Sequence, residues 1–404
     1  MKVLALGGAG AVGSAALRVA VTLPGIDEIV VADRDREAAV RTADELGGSV
    51  PARGIAVDIT DEVGLRRALA EADLVVNTVG PYFRFGSAVV AAAIGTGTHY
   101  LDVCDDTEPT ARMLELDGAA RERGVCAVVG MGASPGVSNL LAAVAAAELD
   151  AVQDVHTAWP VDVGGGDPTR QRAQLLDADG GVSAAAVHWM QQAAGVIDVV
   201  ADGAMVERPP LSPVALSLPG GRRGTAYTIG HPEPLTLRRS LRPRGDSASL
   251  MVVTRSTLAY LRVLRDDMDR GSLTSESAAR ALVRPRPWNL LRSLPKALRA
   301  QGPGDLPPFF AVATGVAAGR PRTVLAFLDR VGPGDDPVAD LLHDMPRATG
   351  IPLALGLSQV VAGLAREPGV HPPESVIDST AFFAAAARVL GLDADRPLCR
   401  IERA

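Results

Sequence analysis

Three side chains stand out as groups able to move a proton. In His231-Pro232-Glu233-Pro234 an imidazole, which titrates near neutral pH, sits two residues from a carboxylate that can orient it or bind an ammonium group. Asp102 precedes Asp105 and Asp106, and such a cluster can hold a cationic amine and raise one carboxyl pKa by mutual repulsion. Each has a plainer reading: a Pro-bounded polar turn for the first, and a solvated acidic turn capping a helix near Thr107 for the second. The remaining candidates read as packing. Cys104 lies beside acidic rather than basic neighbours, which is the wrong sign for a reactive thiolate. His188 and Trp189 sit on an Ala-rich helical face and read first as core, and Arg238, Arg239, Arg242 and Arg244 read as a solvated face.

A second kind of chemistry is carried by glycine. Gly8-Ala9-Gly10-Ala11-Val12-Gly13 is a G-x-G-x-x-G run between an apolar strand pattern and an Ala-rich helix pattern. In that context the first glycine permits a tight turn, the second lets backbone approach a pyrophosphate, and the third lets the helix pack close to the sheet. The amides of Ala11, Val12 and Gly13 then open a helix whose N-terminus favours phosphate. Asp33 follows 20 residues after Gly13 at the end of "EIVVAD". A carboxylate there accepts hydrogen bonds from ribose hydroxyls and repels a 2′-phosphate, which favours NAD. Arg34 can stack on adenine or pair with a 2′-phosphate, so NADP stays open. Asp58, ending "VDITD", is placed either at the adenine edge or as a helix N-cap. Asn77, Gly80 and Pro81 follow the fourth strand, where ligands of such sheets sit. The plain alternative for all of these is a set of tight turns without a ligand.

The elements that must position these groups alternate. Strands are predicted at 3–6, 28–32, 55–57, 74–77, 99–103 and 125–129, separated by helices at 14–23, 36–46, 62–70, 87–94 and 107–123. Continuous Val/Ile/Leu strands between helices of about ten residues argue for an α/β fold, a Rossmann doubly wound parallel sheet covered on both faces. After Pro135 the pattern loosens, with strands at 152–159, 226–229, 309–314 and 322–328 and long connections between them. That predicts a second α/β domain with a mixed sheet. The expected division is 1–135 for the dinucleotide domain and 136–345 for a substrate-binding and dimerisation domain with a helical insertion near 258–300. Residues 346–404 are expected as helices returning to the first domain.

Composition narrows the class. The 404 residues carry a net charge of −7, which argues against a surface built to neutralise nucleic-acid phosphates. All but two of the 40 basic residues are arginine, so arginine counts carry little weight. Three scattered cysteines form neither a disulfide framework nor a metal site, and a reducing cytoplasm is the simple expectation. The N-terminal apolar run is broken by Gly7, Gly8 and Gly10, and the stretch near 140–149 is too short to span a bilayer. No metal, nucleic-acid or membrane partner is expected.

Three segments together resemble the saccharopine dehydrogenase family: "VVNTVGPYFRFGSAVVAAAIGTGTHYLDV" (75–103), "GMGASPGVSNLL" (130–141) and "AYTIGHPEPLTL" (226–237). The C-terminal "RATGIPLALGLSQVVAG" and "GVHPPE" are similar to the family's usual ending. The resemblance covers most of the chain, weakly over about 161–224 and across the helical insertion. It implies a nicotinamide-dependent oxidoreductase of carbon–nitrogen bonds, oxidising an amine or reducing an imine on a small amino-acid-like substrate, and often a homodimer. Gly80, Pro81 and the His99–Asp102 run match segments at the nicotinamide end, and Pro135 and Gly136 match the crossover into the second domain. Tyr82, Pro135 and Gly136 are thereby implied as substrate contacts. The family's saccharopine reductases carry Tyr-Pro-Asn-Arg where this chain has His231-Pro232-Glu233-Pro234; Pro234 replaces the arginine that would grip a carboxylate. The departure points away from saccharopine itself and toward a lysine 6-dehydrogenase-like branch or a tailoring enzyme with another substrate. With proton transfer required at nitrogen, Asp102, His231 and Glu233 are the candidate acids and bases. A C=C or C=O reductase of secondary metabolism and a non-catalytic dinucleotide-binding sensor are the rival expectations.

Overall fold

A computed structural model of the chain describes residues 1–48, 50–163, 175–176, 180–329, 336–393 and 397–404. They form two compact units, Met1–Leu140 with Met345–Leu398 and Leu141–Asp344 with Cys399–Ala404.

The first unit is built on parallel strands β1 (Lys2–Leu6), β2 (Glu28–Asp33), β3 (Ala52–Ala56), β4 (Leu74–Asn77), β5 (His99–Asp102) and β6 (Cys126–Val128), with a seventh, Gly369–His371, beside β6. Across the sheet the order is Gly369–His371, β6, β5, β4, β1, β2, β3. The chain therefore winds outward in both directions from β1, and the crevice between β1 and β4 is the switch point where such sheets bind ligands. Val3, Leu4, Ala5 and Leu6 are all buried, as are Leu74, Val75 and Val76, which is why these strands read as unbroken apolar runs. The Ala11–Ala20 helix lies so close to the Met345–Val361 helix that a Cβ on Gly350 would come 2.7 Å from the Val12 carbonyl and 2.8 Å from the Ala16 amide. Small residues at Ala15, Ala16 and Gly350 make that approach sterically open.

The second unit holds a nine-stranded mixed sheet. Its central strand, Ala151–Pro160, pairs in parallel with Ser247–Val252 and antiparallel with Phe310–Ala317. Phe310–Ala317 turns through Ala318 (φ 50°) and Gly319 (φ 73°) into Arg320–Leu328. Positive φ at both central residues matches the twist of a two-residue hairpin.

Several expectations shift. The predicted 107–123 helix is two, Thr107–Leu114 and Asp117–Arg123. The predicted 258–300 insertion is three helices, Arg255–Asp269, Ser275–Val283 and Pro287–Arg299, interrupted at Gly271 (φ 71°) and before Pro287. Residues 346–404 do not all return to the first sheet. Cys399–Arg403 is an edge strand of the second, antiparallel to Arg320–Leu328, and is tied there by Arg403 to Glu148 at 2.8 Å and by an Arg222–Glu402 ion pair. Three of its five residues, Arg400, Glu402 and Arg403, are charged, a polar edge strand that hydropathy does not separate from a tail.

Candidate functional site

The glycine bend joins β1 to the Ala11–Ala20 helix. The residue in the left-handed region is Gly7 (φ 72°), just ahead of the hexapeptide, so the tight turn is made there and not at Gly8. Gly8 serves close packing instead: a Cβ on it would lie 2.9 Å from the Ala5 carbonyl and 3.0 Å from Val31. A Cβ on Gly13 would meet the Gly7 carbonyl at 2.5 Å and the Gly8 Cα at 2.8 Å, so the helix can seat on the bend only without a side chain there. Gly10 differs, because only the Gly7 carbonyl lies within 4 Å of a Cβ built on it. The helix begins at Gly10 without a side-chain cap, and its first i→i−4 bond is Ser14 N–H to the Gly10 carbonyl at 2.8 Å. The amides of Ala11, Val12 and Gly13 thus precede the helical ladder. An open Gly10 below an uncapped helix start is a cradle that fits a diphosphate.

The β4 loop closes the other side of the switch point. The Thr78 hydroxyl donates to the carbonyls of Leu6 (3.1 Å) and Gly7 (3.0 Å), bracing the bend. Gly80 and Pro81 are exposed at the end of this loop, joined by a cis peptide. At β2, one oxygen of Asp33 accepts from the Asp35 amide at 3.2 Å, while Arg34 is exposed. Asp58 lies past β3; its carboxylate accepts from the Thr60 amide and hydroxyl at 2.9 and 2.6 Å, and those bonds, with a smaller contribution from Arg34, lower its pKa. The cap of the next helix is Asp61, accepting from the Gly64 amide.

The remaining sequence candidates of this unit are buried. Asp102 is fully buried at the end of β5, with one oxygen accepting from the amides of Cys104 (3.1 Å) and Gly130 (2.7 Å) and the other from the Tyr100 hydroxyl (2.7 Å). Tyr100 in turn accepts from Asn77 Nδ2 at 3.0 Å, and the Tyr82 hydroxyl donates to the Asn77 carbonyl at 2.8 Å. Burial pushes the Asp102 pKa up to about 6 against the pull of its three donors, and it drives both tyrosines well above their usual value. Asp102, expected as a candidate acid or base or else as part of a solvated turn, is an interior carboxylate whose bonds to Tyr100, Cys104 and Gly130 tie together the ends of β5 and β6. Tyr82 belongs to the same network, which accounts for its side chain without a substrate. Pro135 and Gly136 are likewise interior. Gly136 (φ 122°) passes so close to Gly132 that a Cβ would lie 2.0 Å from its carbonyl, and the Gly132 amide donates to the Pro135 carbonyl at 2.9 Å.

In the second unit the side chains of His231 and Glu233 lie close together. His231 Nδ1 lies 3.4 Å from Glu233 Oε2, with 6% and 0% of the two side chains exposed. Glu233 opens the Glu233–Ser240 helix, where the dipole favours a carboxylate. Sequence reasoning missed the aromatic wall beside them. The Trp159 ring centroid is 5.6 Å from that of His231 and 6.4 Å from that of Trp189. Both indole Nε1 atoms are buried with no hydrogen-bond partner among the described residues. Only three tryptophans occur in the chain, and that scarcity was the available signal.

A parallel sheet in this order with a glycine bend at its switch point defines a Rossmann dinucleotide-binding unit. More narrowly, residues 3–128 match the family model of the saccharopine dehydrogenase NADP binding domain. The chain is 31% identical over 113 residues to the NADP(+), L-glutamate-forming saccharopine dehydrogenase of Schizosaccharomyces pombe, covering 28% of this chain and 23% of that protein. It is 30% identical over 145 residues to the enzyme of the same name from Pyricularia oryzae, covering 34% and 29%. The matched region thus spans about a quarter of the length of these curated relatives. Over its whole length the chain shares the fold of apo saccharopine dehydrogenase (L-Glu forming) from Saccharomyces cerevisiae, with a TM-score of 0.62 at 15% identity, covering 100% of this chain and 99% of that one. Among the described residues, no helix is long and apolar enough to cross a membrane.

Proposed function

We propose that the chain is an NADP(H)-dependent oxidoreductase acting on the carbon–nitrogen bond of a small amino-acid-like substrate. The observation that carries this reading is the uncapped glycine bend at the switch point of a domain matching the saccharopine dehydrogenase NADP-binding family. Gly10, with the amides of Ala11, Val12 and Gly13, would hold the diphosphate; the exposed Gly80 and Pro81 would border the ring-bearing end, with the buried Asn77 bracing their loop. A bound nicotinamide supplies hydride acceptance or donation at its C4. The chain supplies the proton handling. An amine loses hydride only as the neutral amine, so a base must first take its proton, and the reverse reaction needs the same group as an acid. His231 is the proton carrier in this reading. Glu233 places a buried carboxylate oxygen 3.4 Å from the imidazole Nδ1. The buried indole N–H groups of Trp159 and Trp189 offer donors to a substrate acceptor, consistent with a polar molecule beside an apolar wall. Asp102 takes no proton from substrate here, because all its acceptor contacts are internal.

The coenzyme has a second reading, NAD, favoured by the Asp33 carboxylate at the end of β2. Three unpaired thiols fit a reducing compartment such as the cytoplasm, and a homodimer is part of the same reading. The test follows nicotinamide absorbance with amines, imines, enones and ketones as partners. His231→Ala should cut kcat by roughly 100-fold, within the range of general acid–base catalysis, with coenzyme affinity unchanged within about twofold. Turnover confined to substrates lacking nitrogen, or unaffected by His231→Ala, overturns the reading.

A further inference from the structure

The Pro287–Arg299 helix is mounted with its apolar face outward. Asn289 and Ser293 are buried, and Arg292 and Lys296 point back to the Arg255–Asp269 helix, pairing with Asp267 (2.7 and 2.8 Å) and Asp266 (2.7 Å). Trp288, Leu290, Leu291, Leu294 and Leu298 are left 65, 47, 56, 59 and 87% exposed. At 100° per residue these five fall within one contiguous arc of the helix. An ordinary surface helix does the reverse, turning its leucines to the core and its cations to water.

The charge around this face is one-sided. From residue 277 to 304 the sequence has six cations, Arg280, Arg284, Arg286, Arg292, Lys296 and Arg299, and no Asp or Glu. This stands within a chain of net charge −7. Arg292 and Lys296 are consumed by their ion pairs, while Arg280, Arg284, Arg286 and Arg299 are exposed. A leucine-rich arc with a tryptophan at its margin, flanked by exposed arginines, has the makeup of a helix lying in the plane of a membrane interface. A polar protein partner would leave the leucines unburied, and a neutral apolar partner would leave the arginines uncompensated. A bilayer with anionic headgroups satisfies both, burying the leucines at the acyl boundary and pairing the arginines with phosphate.

We propose that the Pro287–Arg299 helix is a peripheral membrane anchor that seats the protein on an anionic lipid bilayer. This departs from the expectation of no membrane partner and does not require a spanning segment. It is also independent of the redox chemistry above. The test is co-sedimentation of the full chain with vesicles of phosphatidylcholine alone or mixed with phosphatidylglycerol. The wild type should sediment with the mixed vesicles, weakly with the neutral ones, and less as salt rises. Leu291→Gln/Leu294→Gln/Leu298→Gln should lower partitioning by at least about tenfold, with a melting temperature changed by no more than a few degrees because more than half of each residue is already in water. Arg284→Gln/Arg286→Gln/Arg299→Gln should lower it by roughly fivefold per charge on mixed vesicles only. Wild-type protein remaining in the supernatant, or either variant sedimenting like wild type, overturns the proposal. So does a wild-type dimer that the leucine variant converts to monomer with no vesicle uptake, which assigns the face to a second copy of the chain.

Discussion

The two units build their candidate sites from different materials. In the first, the cradle is backbone: Gly7 bends, Gly8 and Gly13 allow close approach, and helix amides provide the donors. In the second, the site is side chains gathered from separate segments: Trp159 from a strand, Trp189 from a helix, His231 and Glu233 from a loop and the helix it enters. A backbone site tolerates almost no added atoms but is indifferent to side-chain chemistry nearby. A side-chain site should behave in the opposite way, losing chemistry on substitution while the fold survives.

That contrast breaks hardest at Gly13. Gly13→Val places a branched side chain where even a Cβ lies 2.5 Å from one backbone atom and 2.8 Å from another, neither of which can swing aside. The expected cost is about 3 kcal/mol or more of stability, at the upper end for overpacking, together with loss of coenzyme binding. Urea unfolding and calorimetric titration with NADPH measure both. Retained binding at wild-type stability would mean that the helix does not seat on the bend as described.

Asp102 sharpens the comparison, since it is a side chain doing backbone work. Its folded pKa, about 6, lies above the unfolded value of ~3.9. The fold therefore prefers the protonated form. Its contribution to stability is complete below the unfolded pKa and is lost as pH rises through the folded one. The two values differ by about two units, so the loss is at most ~3 kcal/mol. Asp102→Asn cannot titrate. The stability of wild type relative to this variant should fall between about pH 4 and pH 7 and level off above it, other titrations cancelling in the difference. Chemical unfolding of both proteins across that range measures the slope; a pH-independent gap removes the proton from the network.

Legibility follows the same division. The first sheet could be read because β1, β2 and β4 are buried on both faces and so show unbroken apolar runs, and because glycine spacing reports local geometry. What the spacing did not report was which glycine turns, since Gly7 and Gly8 are adjacent and only φ separates them. The second sheet was read in part. Ser247–Val252 is buried throughout yet opens Ser-Ala-Ser; the Ser249 hydroxyl is hydrogen-bonded to that of Thr157 at 3.1 Å, a pairing that hydropathy does not register. The hairpin Ile197–Ala201 to Ala204–Arg208 did carry a signal, Asp202-Gly203, both at positive φ, which marks a two-residue turn between strands. The burial of Asp102 had no such signal. Nothing in "HYLDVCDD" distinguishes the fully buried carboxylate from the half-buried Asp105 and Asp106 until the amides of Cys104 and Gly130 are brought to it.

The smallest effect concerns coenzyme choice, where the two materials meet on one loop. Asp33 has one oxygen drawn back to the Asp35 amide, a bond that helps start the Arg36–Leu46 helix and does not depend on a ligand. Arg34 is exposed and close enough to Asp58 to contribute to its lowered pKa, behind the two Thr60 hydrogen bonds. A guanidinium in that position meets a 2′-phosphate with a charge-assisted contact that a ribose hydroxyl cannot reproduce. Arg34→Ala should therefore weaken NADPH roughly tenfold, about 1.4 kcal/mol, and leave NADH nearly unchanged. Asp33→Ala should act in the other direction, easing NADPH slightly by removing a negative charge and weakening NADH if the carboxylate reaches the ribose. Because Asp33 also braces the helix start, its substitution should lower the melting temperature by a small amount, whereas Arg34→Ala should not. If Asp33→Ala abolishes NADH binding while Arg34→Ala spares NADPH, the carboxylate rather than the guanidinium selects the coenzyme, and the chain prefers NAD.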